Sequence, residues 1–159
     1  MLVVPRKYDY RRKLPHLQKD CKALFITFCT KDRWIIPDMA RTVVLEVCLY
    51  SHEKRFTLFG AVVMPDHVHL VLLPLADSEG MFSISEIMQG IKSTSAHRIN
   101  KLLGRKGIVW QQESFDHVLR VEEGIAEKVN YIINNPVRAG LAERSEQYPW
   151  LWYPSLTRA

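Results

Sequence analysis

His67 and His69 flank a single apolar residue, Val68, inside the run Val62-Val63-Met64-Pro65-Asp66-His67-Val68-His69-Leu70-Val71-Leu72-Leu73. In a β-strand, residues two apart point to the same face, so the two imidazoles stand side by side. Neutral imidazole is the commonest protein ligand for metal ions. The alternative is that each is a core histidine satisfied by a hydrogen bond, and the pair alone leaves both readings open. A second set of polar groups lies downstream. On a helix ending near residue 134, Ile125, Val129, Ile132 and Ile133 cluster into one apolar stripe, and Tyr131 falls nearly opposite it. Asn135, four residues on, and Lys128, three residues back, share the flank of Tyr131. Taken alone, Tyr131 could equally be a half-exposed surface tyrosine. Taken with the histidines, it completes a chemistry. Two imidazoles and the Asn135 amide oxygen form a mixed N/O donor set without thiolate, suited to Mg²⁺ or Mn²⁺ more than to a closed zinc site. Such a cation polarises a phosphodiester oxygen and assists the departing sugar oxygen. Tyr131 is then the nucleophile that attacks phosphorus and forms a covalent phosphotyrosine. A nearby cation and Lys128 would favour its ionisation. No residue's spacing marks it as the base.

These groups need a scaffold. Residues 23–30, rich in aromatic and β-branched types, predict a first strand. Asp38 is placed to cap a helix over 39–54, whose apolar side is Val43, Val44, Val47 and Leu49. Residues 56–64 and 67–73 predict antiparallel strands joined at the Met64-Pro65-Asp66 turn. A second helix is expected over 83–103, where Ser83 and Glu86 have capping-box spacing and Gly104 and Gly107 follow its end. Residues 109–121 predict a further strand, irregular around Glu113-Ser114. The third helix is expected over 122–134, because Pro136 disfavours helical geometry at Asn135. An irregular aromatic tail containing Trp150, Trp152 and Tyr153 follows. The order β-α-β-β-α-β-α predicts an α+β fold: a ferredoxin-like split β-α-β antiparallel sheet with an additional C-terminal helix carrying the tyrosine. Along 67–73, Val68, Leu70 and Leu72 form one face, and His67, His69, Val71 and Leu73 form the other. Both faces are largely apolar and need cover. The first two helices suit one face and the third helix suits the histidine face.

A chain of 159 residues with 47% hydrophobic and 25% charged content is that of an ordinary soluble globular protein with one core. We divide it into a basic arm, 1–22, and a single catalytic domain, 23–159. The net charge of +5 is uneven. The arm holds Arg6, Lys7, Arg11, Arg12, Lys13, Lys19 and Lys22 against Asp9 and Asp20, with Tyr8, Tyr10 and His16 interleaved. That mixture suits phosphate contacts and base stacking, and equally a solvated terminus. Arg11, Arg12 and Lys13, with Lys92, Arg98 and Lys101 on the second helix and Lys128 and Arg138 near the third, are the candidate DNA-backbone contacts; an ordinary solvated face is the other reading of the helix charges. Cys21, Cys29 and Cys48 are odd in number and lack C-x-x-C spacing, as expected of free thiols in a reducing cytoplasm. No apolar run approaches a membrane span, and no membrane partner is expected.

The chain resembles the single-tyrosine HUH transposases of the insertion-sequence type, and among them most the REP-associated tyrosine transposases. The resemblance spans about residues 20–153 and rests on four blocks in order. These are Phe25-Ile26-Thr27; Met64-Pro65-Asp66-His67-Val68-His69; Trp110-Gln111 with Phe115-Asp116-His117-Val118-Leu119-Arg120; and Tyr131-Ile132-Ile133-Asn134-Asn135-Pro136-Val137-Arg138-Ala139-Gly140-Leu141. A His-hydrophobe-His pair recurs by chance, whereas four ordered blocks are specific. The resemblance implies a ferredoxin-like fold and cleavage of single-stranded DNA at hairpin-forming sequences. It implies that Tyr131 is left joined to a 5′ phosphate, that a 3′ hydroxyl is released, and that His67 and His69 ligate the metal. Asn135 stands where related insertion-sequence transposases carry a glutamine ligand. Asp116 and His117 belong to a resembling block, but alternate faces on a strand, so at most one faces the site. Relatives of the insertion-sequence type tend to be dimers and the REP-associated branch monomers, so either state is compatible. Two other functions share these residues: a catalytically silent, domesticated DNA-hairpin-binding protein, and a small metallohydrolase that activates water without a covalent step.

Overall fold

The computed structural model describes residues 22–119 and 122–156. Aromatic and β-branched residues build β1, Leu24–Cys29, in which burial alternates along the pleat. Strands β2, Phe56–Val63, and β3, His67–Pro74, form the hairpin expected at Met64-Pro65-Asp66. The Met64 N–H donates to the His67 carbonyl at 2.8 Å and closes it. A two-stranded ribbon, β4 (Ala76–Asp77) with β5 (Gly80–Met81), leads to the second long helix. Strand β6, Phe115–Val118, pairs antiparallel with β1. The sheet order β6-β1-β3-β2 is that of the split β-α-β fold, and all these pairings are antiparallel.

Helices α1, Asp38–Tyr50, and α2, Ile84–Leu103, cover one face of the sheet. Val44 and Ile87 meet Val68, Leu70 and Leu72 there, all fully or almost fully buried. Each such side chain contributes about 1.5–3 kcal/mol of apolar burial. Helix α3, Glu122–Arg138, covers the opposite face, where Ile132 packs with Val62 and Val71, flanked by Ile125 and Val129. The division of β3 into two covered faces is therefore as expected. The capping box is also present: Ser83 Oγ accepts from the Glu86 N–H at 3.1 Å, while Glu86 accepts from the Ser83 N–H at 3.1 Å. Gly104 ends α2 in the left-handed region (φ 61), where a glycine costs least.

Four boundaries differ from expectation, each for a local reason. Helix α1 starts after Pro37, not after an Asp38 cap: the extended Pro37 carbonyl accepts from Arg41 N–H at 3.0 Å, and Asp38 sits in the first turn, 3.7 Å from Arg41 Nη1. It stops at Tyr50 and not near 54, because Glu53 takes φ 62 and its N–H turns to the Phe56 carbonyl at 2.8 Å. The strand expected over 109–121 is regular only at β6. Trp110 makes an isolated bridge to Thr30, and Lys92 Nζ donates to the carbonyls of Gln111, Gln112 and Glu113 at 2.9, 3.3 and 3.2 Å. Two backbone bonds at the bridge, Gln111 N–H to Cys29 O at 2.9 Å and Lys31 N–H to Val109 O at 2.8 Å, and the Lys92 side chain hold that segment in place of a continuous ladder.

Helix α3 runs past Pro136 to Arg138. The proline removes one helical donor, but Asn135 and Pro136 are buried, and bonds resume at once. Ala139 N–H donates to Asn135 O at 3.0 Å and Leu141 N–H to Pro136 O at 2.9 Å. Tertiary packing here outweighs the preference of the residue before proline. The tail is less irregular than expected: β7, Leu151–Trp152, adds a fifth strand beside β2. Tyr148 Oη anchors it by donating to the Val63 carbonyl at 2.6 Å. Among the described residues no helix is long and apolar enough to cross a membrane, and Cys29 and Cys48 are free thiols. The basic arm lies, apart from the exposed Lys22, outside the described residues.

Candidate active site

The turn into β3 and its register with β1 set the two histidines. His67, partly exposed, opens the strand; His69, one pleat further on, is buried. Their ring centroids are 4.8 Å apart with planes at 73°. His67 Nδ1 lies 2.7 Å from Asp66 Oδ1, and since a carboxylate only accepts, Nδ1 carries the proton. Arg33 Nε, 3.4 Å from Asp66 Oδ2, holds that carboxylate from its other side. His69 is opposite Thr27 in the ladder, and its Nδ1 is hydrogen-bonded to Thr27 Oγ1 at 2.7 Å. Phe25 stacks on the His69 ring, with centroids 5.2 Å apart and planes at 22°. Burial, then the neighbouring His67 and Arg138, push the His69 pKa down to about 3, so its imidazole is neutral.

This arrangement fits a metal-binding pair. Both Nδ1 atoms are engaged with oxygens on the protein, which leaves Nε2 as the nitrogen of each ring that could face an ion. Ligating histidines are oriented in this way by an oxygen on the second ring nitrogen. Among the described residues no group of three or more His, Cys, Asp or Glu could enclose an ion.

Helix α3 brings Tyr131 onto the same spot. The residue is 38% exposed, and its ring stands edge-on to His69 at 5.6 Å and 74° and to Phe25 at 5.8 Å and 88°. The Tyr131 ring thus touches the histidine-bearing strand yet remains reachable from solvent. Lys128 Nζ lies 5.8 Å from the Tyr131 centroid and 5.1 Å from that of Phe25. Arg138 Cζ lies 4.3 Å over the Tyr131 ring. Asn135, one helical turn beyond Tyr131, is buried at 8% exposure, and among the described residues its side-chain amide has no hydrogen-bond partner.

A family model described as "Transposase IS200 like" matches residues 17–135, three quarters of the chain and ending at Asn135. The chain belongs to the IS200-like transposase family. A REP-associated tyrosine transposase of Escherichia coli K12 is 27% identical over 113 residues, covering 70% of this chain and 61% of the relative. A Haemophilus influenzae protein named as a candidate transposase of the same kind is 27% identical over 101 residues, covering 60% and 57%. The chain thus spans about three fifths of the length of these curated relatives. A solved REP-associated tyrosine transposase bound to a REP hairpin superposes with a TM-score of 0.66 at 20% identity, over 83% of this chain and 76% of that one. That likeness shows the fold.

In this IS200-like transposase the remaining candidate residues divide by face. On β6, His117 pairs with Phe25 and so lies on the Tyr131 face of the sheet, whereas Asp116 pairs with Ile26 and lies on the other. Both are exposed. Lys92, Arg98 and Lys101 are on α2, across the sheet from Tyr131. Lys92 is spent on the three loop carbonyls, and burial pushes its pKa below the ordinary lysine value. Arg98 Nη2 pairs with Glu46 at 2.6 Å, and Lys101 is exposed. Arg11, Arg12 and Lys13 lie outside the described residues. Among the described cations singled out from sequence, Lys128 and Arg138 are the two brought to Tyr131. Thr27, Asp66 and Arg33 were not assigned site roles from sequence. Thr27 and Asp66 stand within blocks that carry the family resemblance, but their tasks emerge only from strand register and the turn.

Proposed function

We propose that this chain is a metal-dependent DNA transposase that cuts single-stranded DNA beside hairpins through a covalent 5′-phosphotyrosine. The observation carrying this reading is the meeting of Tyr131 with the oriented His67–His69 pair. The names of the curated relatives and the hairpin bound to the solved relative support single-stranded, hairpin-bearing DNA as the partner. His67 and His69 would hold the cation through Nε2, with the Asn135 amide oxygen as the third protein ligand. When bound, Mg²⁺ or Mn²⁺ supplies Lewis-acid stabilisation of charge at the phosphodiester. Thr27 and Asp66 fix the imidazole rings, and Phe25 excludes water from the buried side of His69. Tyr131 Oη attacks phosphorus, the bond from phosphorus to the 3′ oxygen breaks, and the phosphate stays on the tyrosine. The phenol loses its proton, and the departing oxygen gains one to become a 3′ hydroxyl.

The test is adduct formation. A labelled pool of hairpin oligonucleotides with randomised single-stranded flanks is incubated with protein and Mn²⁺, then run on a denaturing gel. The expected result is a metal-dependent covalent band, absent in Tyr131→Phe and in His69→Ala. Hairpin binding with no adduct from the wild type would leave a silent binding protein. Turnover of a small phosphoester that is indifferent to Tyr131→Phe would instead point to a metallohydrolase.

A further inference from the structure

Arg138 was expected beyond the end of the third helix, as a candidate DNA-backbone contact. The structure keeps it in α3. Seven residues after Tyr131, it returns to within about 20° of the same side of the helix, two turns along. Side chains lean toward a helix N-terminus, so its long stem reaches back over the tyrosine. The guanidinium carbon lies 4.3 Å above the Tyr131 ring, and among the described residues no carboxylate pairs with it. Its charge is also felt at His69, where it is one of the three causes holding that ring neutral. A guanidinium without a carboxylate partner among the described residues thus lies against the candidate nucleophile, within electrostatic reach of His69.

We propose that Arg138 is a catalytic residue that binds a non-bridging oxygen of the scissile phosphate; this rests on the phosphotyrosine reading above. The chemistry favours it over Lys128. A guanidinium is planar, permanently charged and forked to match phosphate oxygens, whereas an ammonium is a point charge. Arg138 is also the nearer, since Lys128 Nζ is 5.8 Å from the same ring. An exposed cation–π contact is weak and readily exchanged for a charge-assisted pair with phosphate. Without DNA the guanidinium rests on the ring. As the Tyr131 oxygen bonds to phosphorus and the 3′ oxygen departs, negative charge builds on the non-bridging oxygens, and the fork neutralises it. Arg138 keeps its protons throughout.

The cleavage position is first mapped from the wild-type adduct with the hairpin pool and Mn²⁺. Single-turnover adduct rates are then measured on that oligonucleotide and on one with a methylphosphonate at the scissile position, which removes the phosphate charge. On the phosphodiester, Arg138→Ala is expected to slow adduct formation by about 10²–10³-fold. Binding, compared in the Tyr131→Phe background, should weaken by less than about tenfold, as for the loss of one phosphate contact. On the methylphosphonate, the deficit should largely vanish, because the charge that Arg138 neutralises is gone. Arg138→Lys, with charge but no fork, should fall between wild type and Arg138→Ala, and serves if the alanine variant melts early. A wild-type rate in Arg138→Ala, or an equal deficit on both substrates, overturns the assignment and leaves the tyrosine mechanism standing. Absence of any wild-type adduct overturns both.

Discussion

The Tyr131 ring stands edge-on to the His69 ring, centroids 5.6 Å apart, with both residues supplied by one chain. A site closed within a single chain cannot be repaired from a neighbour. Mixing Tyr131→Phe with His69→Ala is therefore expected to give no more adduct than the two variants give separately. Adduct recovered only on mixing would mean that the tyrosine of one copy works beside the histidines of another, as in a helix-exchanged dimer.

Much of this site was legible because two periodicities do the positioning. Period two along 67–73 put His67 and His69 on one face and predicted cover for both faces, and α3 supplies that cover with Ile132. The Ser83–Glu86 capping box was legible because its chemistry is local. What was hidden depends on distant partners. The end of α3 follows from burial of Asn135 and Pro136, which no local rule at proline contains. Strand β7 is two residues long and exists only through its pairing with β2. Lys92 looked like one more surface cation, yet it is a donor for three loop carbonyls. Thr27 orients His69 only once the register of β1 with β3 is known.

Asp66 should matter through His67 without touching the ion itself. Its carboxylate fixes the Nδ1 proton of His67 at 2.7 Å. Loss of such an orienting partner typically costs about 10–100-fold in metal affinity. Titration calorimetry with Mn²⁺ is expected to show that loss in Asp66→Ala, a smaller one in Asp66→Asn, and the greatest in His67→Ala. Unchanged affinity in Asp66→Ala would remove it from this role.

Ser95 tests the opposite layer. Buried on α2, its Oγ accepts from the Trp110 indole N–H at 2.9 Å and donates to the Ile91 carbonyl at 2.6 Å. Ser95→Ala leaves the indole donor without its partner, a cost of about 1–3 kcal/mol. Urea unfolding should show this loss. The adduct rate per folded molecule should stay at the wild-type value, since Ser95 lies across the sheet from Tyr131. A lower rate in fully folded protein would show that the loop after Trp110 communicates with the site.

His69 makes stability depend on pH in a defined direction. Burial first, then His67 and Arg138, lower its pKa from 6.5 to about 3. The unfolded chain therefore takes up a proton below about pH 6.5 that the folded chain refuses. The neutral ring's contribution is fully present above pH 6.5 and declines as the pH falls from there toward 3. One such proton corresponds to a slope of about 1.4 kcal/mol per pH unit. Carboxylates add slopes of their own, so the informative quantity is the difference between wild type and His69→Gln. In metal-free protein, unfolding free energies measured between pH 7.5 and 4.5 should fall more steeply for the wild type. Parallel curves would mean that His69 takes up its proton as readily in the fold as in the unfolded chain, so that burial does not hold the ring neutral.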